Sequence, residues 1–177
     1  MSTRASREIK ILLADDHKLM RDGIRSLIGK SQGMEIVAEA ENGRIAVELA
    51  AKLKPDVIIM DISMPGLNGI DATRKILAER PGIKVIALSV HSSKSHIREM
   101  MEAGAAGYLL KECAFEEVMS AILAVARDEI YLSPAITGIV VKDYLKTVNE
   151  QMSPLAHLSS REREVLQLLA EGKRSKD

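Results

Sequence analysis

Short apolar runs alternate along most of this chain with stretches whose apolar residues recur every three or four positions. The first run, Ile9-Lys10-Ile11-Leu12-Leu13-Ala14, leads straight into Asp15-Asp16-His17. A helix with Leu19, Ile24, Leu27 and Ile28 as its buried stripe is predicted next, closed by Gly33. Met34 to Ala40 alternates apolar and acidic residues, which predicts a strand with one wetter face at a sheet edge. Asn42-Gly43 turns into a helix carrying Ala46, Val47, Leu49, Ala50 and Leu53, stopped by Pro55.

Val57-Ile58-Ile59-Met60 shows no alternation, the mark of a strand buried on both faces, and it ends in a carboxylate, Asp61. Turn chemistry follows at Pro65-Gly66 and Asn68-Gly69. A third helix carries Ile70, Ile76 and Leu77. A fourth strand, Ile83 to Leu88, runs into Ser89-Val90-His91, and Ile97, Met100 and Met101 mark the helix after it. The fifth strand, Ala106 to Lys111, precedes a helix with Phe115, Val118, Ile122 and Val125.

Five strand–helix pairs in strict alternation predict an α/β domain, a five-stranded parallel sheet with right-handed crossovers. The edge-like second strand favours the doubly wound order 2-1-3-4-5, a flavodoxin-like arrangement. In that order the first and third strands are neighbours, so Asp15, Asp16 and Asp61 meet at the carboxyl rim of the sheet. Ser89 and Lys111 end the fourth and fifth strands and can reach the same rim.

Composition narrows the partners. Lys plus Arg equals Asp plus Glu at 25 each, so no overall basic charge points to nucleic acid. With no Trp and one Phe, a base-stacking platform is not expected. A single cysteine, Cys113, excludes an intramolecular disulfide framework and suits a reducing cytoplasm; it is read as an inert small side chain. No apolar run approaches a membrane span and no signal peptide is evident, so no membrane partner is expected.

Clustered carboxylates need a cation or a raised pKa. Mg2+ fits best, a hard ion held by one or two carboxylates together with water and phosphate oxygen. A nucleophilic carboxylate, a divalent ion, a lysine and a hydroxyl are the parts required to accept a phosphoryl group. Each residue alone has an ordinary explanation: Asp15 or Asp16 as a helix cap, Ser89 as a turn former, Lys111 as a surface lysine. Four strand ends converging on one chemistry favour the site.

The motifs Ala14-Asp15-Asp16-His17, Met60 to Gly69, Ser89 and Gly107-Tyr108-Leu109-Leu110-Lys111 resemble those of two-component response regulators, with residues 7–128 similar to a receiver domain. The resemblance implies Asp61 as phosphoacceptor, with a sensor histidine kinase as donor. It implies Asp15, Asp16, Asp61 and the Ser63 carbonyl as Mg2+ ligands. Lys111 and Ser89 would contact the phosphoryl oxygens, while Tyr108 would reposition with Ser89 as a switch. Ser63 and His91, two residues beyond Asp61 and Ser89, are expected to tune dephosphorylation. His17 and His91 flank the site without zinc-ligand spacing. Receivers often carry proline after the lysine; Glu112 stands here, so a cis bond is not expected.

Ser133-Pro134 reads as a helix start, followed by an amphipathic stripe of Ile136, Val140, Tyr144 and Leu145. Thr147 to His157, with Pro154 inside, reads as a polar connection, and 129–158 as a whole is a helical linker. Ser159-Ser160-Arg161-Glu162 fits a capping box before Val165, Leu166, Leu168 and Leu169, with Gly172 as the stop. Residues 159–177 resemble the opening of a LuxR-type helix-turn-helix, of the NarL/FixJ-like group, and the sequence ends before a recognition helix. Promoter DNA is therefore expected as partner only in a full-length parent, and homodimers can form by pairing or swapping.

The leading expectation is a phosphorylation-dependent signalling switch rather than an enzyme. A haloacid-dehalogenase-like hydrolase would use the same residue types, but usually with an Asp-x-Asp motif after its first strand. A phosphate-independent interaction module would not need Asp61, Ser89 and Lys111 intact.

Overall fold

A computed structural model describes residues 8–112 and 115–152, together with Ser159, Arg161, Glu162 and Gln167. Two compact units are formed, Met1–Thr137 and Gly138–Asp177.

The first unit is built on a parallel sheet of β1 (Ile9–Ala14), β2 (Met34–Ala40), β3 (Val57–Asp61), β4 (Lys84–Ser89), β5 (Gly107–Leu110) and β6 (Tyr131–Leu132). Their order across the sheet is β2-β1-β3-β4-β5-β6. The predicted order 2-1-3-4-5 is present, with one correction: a sixth strand covers the outer edge of β5. It pairs Gly107 with Tyr131 and Tyr108 with Leu132. Two residues are too few to show a period, so the sequence pattern carries no sign of it.

Helices α1 (Lys18–Ile28), α2 (Gly43–Leu53), α3 (Gly69–Glu79), α4 (Lys94–Glu102) and α5 (Phe115–Val125) connect successive strands. Alternate strand residues point to opposite faces. Ile11, Leu13, Val57, Ile59, Ile86, Leu88 and Leu109 pack against Ile24 and Ile28 of α1 and Val118, Ala121, Ile122 and Val125 of α5. On the other face Leu12, Ile58, Met60, Val85 and Ala87 are fully buried, beneath α2 and α3 with α4 beside α3. Asn42 and Asn68 cap α2 and α3, their side chains accepting hydrogen bonds from the backbone N–H of Ile45 and Asp71.

Edge strand β2 carries an irregularity: Ile11 pairs with Ile36 but Leu12 with Ala38, so Val37 is the extra residue of a bulge. Leu19, predicted inside the stripe of α1, is 86% exposed. Five residues before Ile24, it lies roughly 140° around the helix from that residue, which takes it off the buried face.

Helix α6 (Pro134–Met152) follows β6. Its second half overturns part of the polar stretch expected from Thr147, because the helix continues through Met152. No Gly or Pro falls between Thr147 and Met152 to stop it, and Pro154 is the first breaker. Ile136 is fully buried, whereas Tyr144 and Leu145 of the expected stripe are exposed. In the second unit the capping box forms as expected. Ser159 Oγ accepts from the Glu162 N–H at 3.3 Å, and Glu162 Oε2 accepts from the Ser159 N–H at 2.7 Å. The Ser159 hydroxyl also donates to Glu162 Oε2, at 2.7 Å, and this bond together with the Ser159 N–H holds the Glu162 carboxyl below its usual value. Cys113 and the predicted stripe Val165, Leu166, Leu168 and Leu169 with Gly172 lie outside the described residues.

Candidate functional site

The carboxyl ends of β1, β3, β4 and β5 converge, and each contributes one polar side chain or its immediate neighbour. Asp15 follows β1, Asp61 ends β3, Ser89 ends β4 and Lys111 follows β5. Parallel strands in register explain the convergence: Ala14 pairs with Met60, Asp61 with Leu88, and Ser89 with Leu110. Asp15, Asp61 and Ser89 are nearly inaccessible, while Asp16 is exposed.

Lys111 is the electrostatic centre. Its Nζ lies 2.8 Å from Asp61 Oδ2 and 2.8 Å from Asp15 Oδ2. The Asp61 contact is a well-formed hydrogen bond. Asp15 Oδ2 is buried and meets Lys111 as an ion pair. Burial raises the Asp61 carboxyl above its ordinary value and Asp15 adds repulsion, which Lys111 and the Ser63 N–H only partly offset. Burial alone would depress Lys111, but its contacts with Asp15 and Asp61 outweigh that and raise it.

The main chain organises the remaining oxygens. The Ser63 N–H donates to Asp61 Oδ1 at 3.1 Å, and the His17 N–H donates to Asp15 Oδ1 at 2.8 Å. The His17 ring also enters the cluster, with Nδ1 2.7 Å from Asp16 Oδ1 and 3.1 Å from Asp15 Oδ1. Sequence spacing marks His17 only as flanking the site; its position immediately after Asp16 is the signal for its place in the cluster. One ligand atom from each of Asp15, Asp16, His17 and Asp61 can be chosen so that all lie within 4.8 Å of one another. Three carboxylates, two of them on buried residues, form a donor set suited to a hard divalent cation.

The β4–α4 segment ties Ser89 to Tyr108. Ser89 Oγ accepts from the His91 N–H at 2.9 Å, and Tyr108 Oη donates to the His91 carbonyl at 2.9 Å. Tyr108 is fully buried, which pushes its phenol above the ordinary value against an opposing effect of Ser89. The His91 ring stacks on His96, with centroids 5.5 Å apart. The peptide bonds are all trans among the described residues, as expected from Glu112 in place of proline.

Residues 11–123 match the response regulator receiver domain family. The chain belongs to that family. It is 38% identical over 179 residues to the transcriptional regulatory protein DegU of Brevibacillus brevis, covering 93% of this chain and 76% of that one. The response regulator UvrY of Escherichia coli (strain K12) is 38% identical over 166 residues, covering 94% of this chain and 76% of its own. A LuxR-family two-component response regulator from Aurantimonas sp. SI85-9A1 has a similar solved structure, with a TM-score of 0.75 and 32% identity. It covers 78% of this chain and 99% of its own. The chain is thus a response regulator, a signalling protein related to two-component regulators of transcription. The adjacent Asp15-Asp16 pair differs from the Asp-x-Asp pattern expected of the hydrolases. No helix among the described residues is long and apolar enough to cross a membrane.

Proposed function

We propose that Asp61 is the phosphoacceptor of this receiver and that a sensor histidine kinase in the cytoplasm is the donor. The observation that carries the reading is the Lys111 ammonium at 2.8 Å from the carboxylates of both Asp15 and Asp61. An Asp61 oxygen forms a bond to phosphorus as the phosphorus–nitrogen bond of phosphohistidine breaks, and the leaving imidazole takes up a proton. Catalysis of such a transfer rests on positioning and charge neutralisation. Lys111 then contacts the phosphoryl oxygens, and Ser89 hydrogen-bonds them.

Asp15, Asp16, Asp61 and the Ser63 carbonyl would hold Mg2+, with His17 beside Asp16. When bound, the ion supplies positive charge to phosphoryl oxygens facing three carboxylates. The bridge from Ser89 through His91 to Tyr108 gives the switch a route: pulling Ser89 towards phosphate removes an acceptor from His91 and frees Tyr108 to reposition. Ser63 and His91 set the rate of dephosphorylation.

In this reading residues 7–128 are the receiver, 129–158 a helical linker with β6 at its head, and 159–177 the first helix of a helix-turn-helix. The capping box at Ser159 supports the last assignment. Phosphorylation would govern homodimer formation and promoter DNA binding in a full-length parent.

Incubation with acetyl phosphate and Mg2+, followed by intact mass, tests the assignment. One stable phosphoryl adduct is expected, lost in Asp61→Asn. Rapid turnover of the donor without an adduct would instead indicate a hydrolase, and no reaction an interaction module.

A further inference from the structure

The loop that carries the acidic pair is short, exposed at Asp16 and next to an edge strand, yet it must hold Asp15 in a fixed place. Both main-chain groups of Asp15 are engaged. Its N–H donates to the Ala40 carbonyl at the end of β2, at 3.0 Å. Its carbonyl accepts from an Arg21 terminal nitrogen of α1, at 2.6 Å.

Arg21 is itself anchored. Its Nε donates to Glu39 Oε2 at 3.0 Å, and its side chain is only 14% exposed. Glu39 lies beside Ala40 on β2, and its other oxygen accepts from Arg25 at 2.6 Å. One planar guanidinium therefore spans from β2 to the corner between β1 and α1. A forked, rigid donor can hold two acceptors at set angles, which a lysine ammonium on its flexible stem cannot do as well.

We infer that Arg21, braced by Glu39, is a positioning residue that sets the Asp15 main chain and so the affinity of the acidic site for its divalent cation. The inference rests on the assignment of Asp15 and Asp16 to Mg2+. Arg21 acts through the Asp15 carbonyl rather than through either carboxylate of the acidic pair. With that tie removed, Asp15 and Asp16 repel with less restraint, and the ion must reorder the loop when it binds. Ground-state order is lost, while the geometry reached with the ion bound is the same. Affinity should fall and the maximal rate should not.

The test is direct Mg2+ titration by calorimetry on the full chain, with Arg21→Met, Arg21→Lys and Glu39→Gln beside the unaltered protein. Acetyl phosphate labelling is followed as a function of Mg2+. Arg21→Met is expected to raise the Mg2+ dissociation constant about tenfold, with the labelling rate at saturating Mg2+ within about threefold of the unaltered protein. Arg21→Lys should recover part of the affinity, and Glu39→Gln should show a smaller loss than Arg21→Met. A tie that matters only for the fold would lower the melting temperature and leave the Mg2+ dissociation constant unchanged, which would overturn the inference. If Arg21→Met does not fold, Arg21→Lys and Glu39→Gln decide in the same way: unchanged affinity in both refutes it. Failure of the unaltered protein to bind Mg2+ or to be labelled would instead refute the site assignment.

Discussion

Gly69 and Asp61 share a space that admits no side chain: a Cβ on Gly69 would lie 2.0 Å from the Asp61 carbonyl oxygen. The Gly69 N–H also donates to the Ile62 carbonyl at 3.0 Å, so the start of α3 is pressed onto the strand end that carries the acceptor. Gly69→Ala must push the two backbones apart. A loss of roughly 1–3 kcal/mol is expected by analogy with overpacked cores, together with slower labelling of Asp61. Chemical denaturation and intact mass check both; an unchanged midpoint would show that α3 can shift freely.

Asp61→Asn should stabilise the protein when Mg2+ is chelated. The folded state raises this carboxyl above its unfolded value, so the folded protein binds the proton more tightly. Stability is therefore lost as pH rises from the unfolded value near 3.8 through the higher folded one, and the deficit persists at neutral pH. An amide of the same shape carries no charge to desolvate. A gain of about 1 kcal/mol is expected, read as a higher melting temperature in chelator at pH 7. A lower melting temperature would mean that the ion pair with Lys111 outweighs burial.

Much of this site can be read in the chain. Uninterrupted apolar runs ending in Asp15, Asp61, Ser89 and Lys111 specify both the strands and the rim, because parallel register brings equivalent strand ends together. Side-chain partners acting across the sheet are less legible. Nothing in the spacing of Arg21 and Glu39 joins them, since their contact depends on how α1 lies against β2. Ser133 shows the limit of a local rule. Ser133-Pro134 does start α6, yet the Ser133 Oγ that would cap it is buried without a hydrogen bond, while Thr137 Oγ1 donates to the Ser133 carbonyl. The Ser159 box, whose two partners are three residues apart, is local enough to be read directly.

Lys111→Met removes the cation between two buried carboxylates. Leaving Asp15 and Asp61 facing each other should cost on the order of 3 kcal/mol in chelator. Mg2+ should recover much of it by supplying positive charge to the same pair, through the linkage of binding to folding. The raised Lys111 pKa gives the sign with pH: the stabilisation is complete below 10.5 and is lost as pH climbs through the higher folded value. Denaturation curves with and without Mg2+, from neutral to alkaline pH, check this. The same deficit in both conditions would exclude shared neutralisation.

The decay of phosphorylated Asp61 should respond to Ser63 and His91. The Ser63 N–H already meets Asp61 Oδ1, and its side chain is exposed. His91 is held through its main chain to Ser89 and Tyr108, so its ring can change without removing either bond. Substitution at both positions should alter the decay rate severalfold, as read by loss of the phosphoryl mass over time. Unchanged decay in both single variants would refute the idea.

Tyr108→Phe separates the ring from its hydroxyl. The ring fills a fully buried position, so phenylalanine should keep the packing. The hydrogen bond to the His91 carbonyl is lost, at a cost of about 1 kcal/mol or somewhat more if that carbonyl finds no other donor. Labelling of Asp61 should proceed at a near-normal rate, because the Tyr108 hydroxyl bonds to the His91 carbonyl rather than to Asp15, Asp61 or Lys111. The change should appear in the segment that bridges Ser89 to α4. Amide exchange over residues 89–96 is expected to be faster in Tyr108→Phe before phosphorylation, and the difference caused by phosphorylation should shrink, since the variant has already lost one end of the bridge. Exchange indistinguishable from the unaltered protein in both states would show that Ser89 and Tyr108 are not coupled through His91.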